Sequence, residues 1–165
     1  MAVRIVTDSA SGIGEADVAR LDLTVVHLHV IADDRDLPEQ ELLAPGFYDR
    51  LGAMDSLPKT SQPSPEQFSV VFRRLVDEGH EVLAVLISAG MSGTVESAEL
   101  ARTALLSERS DARIEVVDSR SNSMEEAFAV LSAAEAASAG LPIEACRAAA
   151  EDTIRRTRFL FTPHT

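Results

Sequence analysis

Four short polar clusters in this chain carry side chains that could bind or process an anion. They are Thr7-Asp8-Ser9, Thr60-Ser61-Gln62-Pro63, Ser88-Ala89-Gly90-Met91-Ser92-Gly93-Thr94 and Asp118-Ser119. The third carries the most information. Gly90 and Gly93 permit close backbone approach, and Ser92 and Thr94 add hydroxyls. A helix predicted to follow presents unpaired N–H groups and a partial positive charge. Together these suit a carboxylate or a phosphate. The same residue types also make a capped strand-to-helix turn, and the local pattern admits both readings. Asp8 with Ser9, and Asp118 with Ser119, are open to a catalytic or a structural role, since Asp commonly accepts from the backbone amide two residues on.

Other chemistries fit less well. Gly90-Met91-Ser92-Gly93-Thr94 approaches the G-x-S-x-G nucleophile elbow but ends in Thr94, and His164 alone follows it as a candidate base. His27 and His29 lie two apart on a predicted strand and so face the same side, with no third ligand nearby in sequence for a metal. Cys146 shares a helical stripe with Ile143, Ala150 and Ile154 and reads as a small core residue. Neither G-x-x-x-x-G-K-[ST] nor G-x-G-x-x-G occurs, so the usual nucleotide loops are missing.

The clusters need a scaffold, and the hydrophobic pattern predicts one. Val3 to Val6 is a short β-branched run ending at Thr7-Asp8-Ser9. Leu23 to Ile31 reads as a second strand. Residues 32–63 are broken by Pro38, Pro45, Gly46, Pro58 and Pro63, and predict a short helix over Phe47 to Leu51 among loops. Ser64-Pro65-Glu66-Gln67 is a helix start with a capping box, and Phe68, Val71, Phe72, Leu75 and Val76 follow at helical spacing up to Gly79. Val82 to Ile87 is an almost purely apolar strand, as inside a parallel sheet covered on both faces. A helix over Ser92 to Leu106 and a strand over Ile114 to Val117 come next. Ser123 with Glu126 predicts another capping box opening a helix to Ala139. A last helix spans Ile143 to Arg156, and Phe159 to Phe161 begins a further strand. Such alternation of strands and helices predicts a parallel α/β sheet, whose ligands bind outside the carboxyl ends of the strands. Three of the four clusters fall there, and the fourth precedes a helix.

Composition bounds the partners. A hydrophobic content of 45% with 4% aromatics and no Trp predicts a core of Ala, Val, Leu and Ile in one domain. The formal net charge of −12 disfavours nucleic acid and anionic membrane surfaces, and Arg155, Arg156 and Arg158 read as a solvated helix end. The single cysteine excludes an internal disulfide and fits a reducing compartment. The amino terminus runs straight into a strand pattern rather than a signal peptide, and no window suits a membrane span. The expected location is the cytoplasm, without stable membrane insertion.

Four motifs in this order resemble the DegV family: Ile5-Val6-Thr7-Asp8-Ser9, Thr60-Ser61-Gln62-Pro63-Ser64, Ile87-Ser88-Ala89-Gly90-Met91-Ser92-Gly93-Thr94 and Val116-Val117-Asp118-Ser119. The resemblance covers essentially the whole chain. It implies a three-layer α/β amino-terminal domain over residues 1–157, with 158–165 leading into a carboxyl-terminal domain that a truncated chain lacks. It also implies a protein that is not an enzyme and needs no cofactor, but buries a long-chain fatty acid and presents it to a fatty acid kinase catalytic subunit that makes the acyl phosphate. By the same resemblance Thr60 and Ser92 bond the carboxylate, while Ser61, Gly93 and Thr94 shape the pocket with Asp8, Ser9, Asp118 and Ser119 around it. Phe68, Phe72, Met91 and Met124 are candidates to line the acyl slot, each open to an ordinary core role. The chain departs from the family at Glu125-Glu126, where glycines are usual after Ser-Met, and at His27, where Pro is often found. Two other readings stay open. One is a phosphate-site enzyme, an isomerase or hydrolase using Asp8 or Asp118. The other is a remnant that only associates with a partner domain.

Overall fold

The structure is a computed structural model and describes residues 1–32, 35–42, 46–54, 56–160 and 162. Its centre is a four-stranded parallel sheet. β1 (Val3–Asp8) lies between β2 (Thr24–Val26) and β6 (Glu81–Leu86), and β7 (Ile114–Asp118) pairs with β6 on its far side, giving the order β2-β1-β6-β7. The register places Val6 beside Thr24, Ile5 beside Leu83 and Val85 beside Val117.

Strand alternation then sorts side chains to two faces. Ile5, Leu83 and Val85 point to one core, where they meet α6 (Ser123–Ser138) and α7 (Ile143–Arg156). α1 (Glu15–Leu21) adds Val18 and Leu21 there. Val6, Val82, Ala84 and Leu86 point to the other, against α4 (Pro65–Asp77) and α5 (Thr94–Glu108). The result is helices, sheet and helices in three layers. α6 and α7 pack through small residues, among them Ala129, Ala133, Cys146 and Ala150, which lets the two helices fill a core with few aromatics by close approach. Phe68 and Phe72 are the large members of the opposite core, their rings tilted with centroids 5.6 Å apart.

α4 starts as its sequence predicts. Ser64 Oγ accepts from the Gln67 amide at 3.3 Å, and Gln67 Oε1 accepts from the Ser64 amide at 2.8 Å. Pro65 takes the first helical position, where its missing N–H costs nothing.

Several expectations are corrected. The run Leu23 to Ile31 is two strands in two sheets. β2 ends at Val26, the chain turns at His27-Leu28, and β3 (His29–Ala32) joins a separate antiparallel sheet ordered β4-β3-β5, with β4 over Arg35–Pro38 and β5 over Lys59–Ser61. The break is held by polar contacts that periodicity does not reveal: the Leu28 amide donates to Ser9 Oγ, and its carbonyl accepts from the Glu39 amide. The stretch 32–63 therefore holds strands and the helix α2 (Glu39–Leu42) as well as the predicted α3 (Phe47–Leu51). His27 and His29 do not share a strand. His29 pairs through Nδ1 with Asp36, and its Nε2 lies 3.2 Å from the Gln67 amide nitrogen, whereas His27 sits in the connection.

Ser123 and Glu126 form no capping box. Asn122 is the N-cap and accepts from the Ser123 amide, while the Glu126 side chain turns into the core, where burial against β1 replaces the cap. β1 also runs through Thr7 and Asp8, which are buried strand residues rather than loop. Phe159 and Leu160 are not in a strand, and Phe161 lies outside the described residues, as does His164.

Candidate functional site

The carboxyl ends of the parallel strands bring the polar clusters together. The loop after β6 turns at Ser88, whose Oγ accepts from the Gly90 amide at 3.2 Å and whose carbonyl accepts from the amides of Met91 and Ser92. The Ser92 hydroxyl then lies 2.8 Å from the Thr94 hydroxyl and accepts weakly from the Thr94 amide at 3.3 Å. Gly93 is the N-cap of α5 and provides no side-chain cap. The sequence left a choice between an anion cradle and a capped turn. The geometry keeps one hydroxyl pair and the opening amides of a 15-residue helix at the same spot.

Gly93 also explains how the second cluster joins. A Cβ added there would fall 2.7 Å from Gln62 Nε2, closer than real Cβ atoms come to other heavy atoms. Glycine therefore lets the Gln62 side chain lie directly against the Ser92–Thr94 turn. Thr60 and Ser61 end β5, paired through their backbone with Val30 and His29. The Thr60 side chain is exposed and Ser61 is half-buried. Gln62, the residue after Ser61, thus brings the end of β5 next to Gly93, between Ser92 and Thr94.

The aspartates behave differently. Asp8 is fully buried, and each carboxylate oxygen is already used: Oδ1 accepts from the Ala10 amide at 2.9 Å and Oδ2 from the Ile87 amide at 2.8 Å. Ser9 Oγ is spent on Leu28. Asp118 Oδ1 accepts from the Ala89 and Arg120 amides, at 3.1 and 2.8 Å. Ser119 is buried and exchanges hydrogen bonds with the Ser121 backbone. Both Asp8 oxygens, Ser9 Oγ, Asp118 Oδ1 and Ser119 Oγ thus bond backbone groups and shape these loops. Met91 and Met124 lie at the same end and are each 49% exposed, whereas Phe68 and Phe72 are closed into the core and cannot line a slot.

Sequence patterns passed over Glu126 as a site residue. It is 0% exposed and packs beside the end of β1, where Thr7 Oγ1 donates to its Oε1 at 3.4 Å and Oε2 has no partner. Burial, together with the nearby Asp8 charge, pushes its carboxyl up to about 10, so Glu126 is a neutral acid at pH 7. Burial also raises Asp8, to about 6, the two amide donors opposing the shift and the Glu39 charge adding to it. The signal available in sequence was an acidic residue four before Val130, on the apolar face of a helix rich in Ala.

A cavity of about 710 Å³ opens along the outer edge of β2, lined among others by Ser9, Ile13, Leu23, His27 and Glu39; Thr60 and Ser92 are not among its walls. Among the described residues no cluster of His, Cys, Asp and Glu is arranged to hold a metal ion, and no helix is long and apolar enough to cross a membrane.

Comparisons with known proteins converge on one family. The family model described as "uncharacterised protein, DegV family" matches residues 2–165. A DegV domain-containing protein of Clostridium acetobutylicum is 39% identical over 99% of this chain and 57% of its own length. Among solved structures, a fatty-acid-binding DegV family protein from Thermus thermophilus superposes with a TM-score of 0.80 at 34% identity, over 94% of this chain and 54% of that one. A stearic acid-binding protein from Eubacterium ventriosum gives 0.82 at 30% identity, over 90% and 52%. The chain spans little more than half the length of the relatives it matches.

Proposed function

The chain belongs to the DegV family, and on that premise we propose that it holds a long-chain fatty acid by its carboxylate where the Thr60–Pro63 and Ser88–Thr94 loops meet. The observation that carries this reading is the packing of Gly93 against the Gln62 amide. It brings the segment that carries Thr60 and Ser61 next to the turn that carries Ser92 and Thr94, at the start of a helix whose N-cap residue has no side chain. Hydroxyl and amide donors to a carboxylate make charge-assisted hydrogen bonds, the stronger kind. Thr60 and Ser92 donate to the carboxylate, while Ser61, Gly93 and Thr94 shape its seat. Asp8, Ser9, Asp118 and Ser119 act one layer further back, holding the loops. The half-exposed Met91 and Met124 contribute acyl contact, and each buried CH₂ adds about 0.8 kcal/mol. The fatty acids named with the Thermus and Eubacterium relatives support the ligand class.

In this reading the protein is a binding subunit without a cofactor. It presents the acid to a fatty acid kinase that forms the acyl phosphate. Residues 1–157 form the carboxylate-binding unit and 158–165 lead toward a second domain closing the pocket, in keeping with the greater length of the relatives. The cytoplasm suits its one cysteine, buried and free. A phosphate-site enzyme is less well supported, because the acid or base it needs, Asp8 or Asp118, is already bonded to backbone amides. Displacement of a fluorescent fatty acid tests the reading. Palmitate is expected to displace the probe from the parent, and Ser92→Ala to weaken binding about 10- to 100-fold, the worth of one hydrogen bond to a charged group. Palmitate that fails to displace, or equal affinity in Ser92→Ala, contradicts it.

A further inference from the structure

Beneath the ligand loop lie two buried carboxyls with no cation between them. Asp8 ends β1 and Glu126 sits in the first turns of α6; both are 0% exposed. The groups that face Asp8 are the Ile87 amide just past the end of β6, the Ala10 amide from its own turn, and the carboxyls of Glu126 from α6 and Glu39 from α2. Those that face Glu126 are Asp8 and the Thr7 hydroxyl. Among the described residues no Lys, Arg or His offsets either carboxyl. Two like charges cannot both persist in so dry a place. Asp8 has two amide donors for its charged form, while Glu126 has a single long contact and one oxygen without a partner. The pair therefore holds one proton, and it resides on Glu126.

We propose that Asp8 takes up a second proton when an anionic ligand binds at the Ser92 loop, so that binding is coupled to protonation and weakens as pH rises. This rests on the carboxylate site proposed above. Asp8 is joined to that loop directly, since Ile87, whose amide it accepts, is the residue before Ser88. A ligand carboxylate seated there adds a negative charge to a loop whose preceding amide already binds a buried anion that no cationic side chain offsets. Taking a proton from solvent onto one oxygen of Asp8 relieves the repulsion, and the other oxygen remains an acceptor for an amide. The net event is protein with ionised Asp8, plus ligand anion, plus one proton, giving a complex with neutral Asp8. The ionised Asp8 sits near pH 6 before ligand arrives, so the exchange falls in the range just above.

The test uses hexadecyl sulfonate below its micelle concentration, because its headgroup stays ionised throughout and any pH effect belongs to the protein. Affinity of the whole chain is expected to fall about tenfold from pH 6 to pH 8, the change produced by uptake of about half a proton on average across those two units, Asp8 being already partly protonated at pH 6. Asp8→Asn, which fixes the neutral form, is expected to give a flat profile. Glu126→Gln is expected to keep the slope, because the Glu126 proton is not exchanged. Sulfonate bound with the same affinity at both pH values overturns the coupling and leaves the carboxylate site intact. Failure to bind either sulfonate or palmitate at any pH overturns the site itself. Carboxyl carbon resonances of the ligand-free chain test the pair independently of ligand and of variant folding: Glu126 neutral at pH 7 supports it, and Glu126 ionised at pH 7 overturns it.

Discussion

The Ile87 amide donates to Asp8 Oδ2 at 2.8 Å, joining two residues 79 apart in sequence and both buried. This contact fixes the start of the Ser88–Thr94 loop to the end of the first strand. Asp8→Ala leaves the Ile87 and Ala10 amides without their acceptor. Each orphaned buried donor costs about 1–3 kcal/mol, partly offset because an ionised carboxylate is no longer buried. A loss of roughly 2–4 kcal/mol is expected in urea unfolding. An unchanged midpoint would show that other groups replace the acceptor.

Gly93→Ala separates packing from folding. The added methyl meets the far end of the Gln62 side chain, and Gly93 has φ −76°, which any residue adopts. The Gln62 amide swings away at little cost, so stability should change by less than about 1 kcal/mol. The Thr60–Pro63 loop loses its seat against the turn, and fatty acid affinity should fall several-fold at nearly constant melting temperature. Undiminished affinity would show that the two loops need not touch.

The buried acid sets a pH dependence of stability. The folded Glu126 carboxyl is raised from 4.5 to about 10, so the folded state keeps a proton that the unfolded state releases. Its contribution is therefore fully present below about pH 4.5 and is lost as pH rises toward 10. The slope reaches at most about 1.4 kcal/mol per pH unit from one group. Asp8, raised from 3.8 to about 6, acts in the same direction between those values. Glu126→Gln preserves shape without titrating, and should flatten the decline in urea midpoint between pH 6 and pH 9. Equal declines in parent and variant would place the cause elsewhere.

The α4 cap gives a smaller effect. Ser64→Ala removes one half of the reciprocal pair with Gln67 and should cost about 1 kcal/mol. Gln67→Ala also removes the contact with His29 Nε2, so it should cost more than Ser64→Ala in the same thermal unfolding experiment.

These predictions divide according to what one sequence makes legible. α4 was readable because cap, Pro65 and apolar spacing all agree locally, and Val82 to Ile87 because a run buried on both faces has no polar interruption. The split between β2 and β3 was hidden, since Leu23 to Ile31 is continuously strand-like and the turn at His27-Leu28 depends on Ser9 and Glu39, distant partners in sequence. β4 and β5 were hidden for the opposite reason: short edge strands carry Pro, Asp and Lys and look like loop. Ser92, Gly93 and Thr94 stood out as types suited to an anion, yet only the fold reveals that Gln62 is their neighbour. Glu126 reads as a cap because Ser-x-x-Glu has that meaning locally, and its burial is decided by β1, 119 residues from it through Thr7.

The central claim is that hydroxyls on the two converging loops hold a fatty acid carboxylate. Native mass spectrometry of the chain loaded with palmitate, beside its Ser92→Ala variant, tests this most directly. A one-to-one adduct of fatty-acid mass on the parent, largely lost from a variant that keeps its folded charge-state distribution, is the predicted result. A parent that stays at its bare mass, or a variant that retains palmitate as fully as the parent, would contradict it.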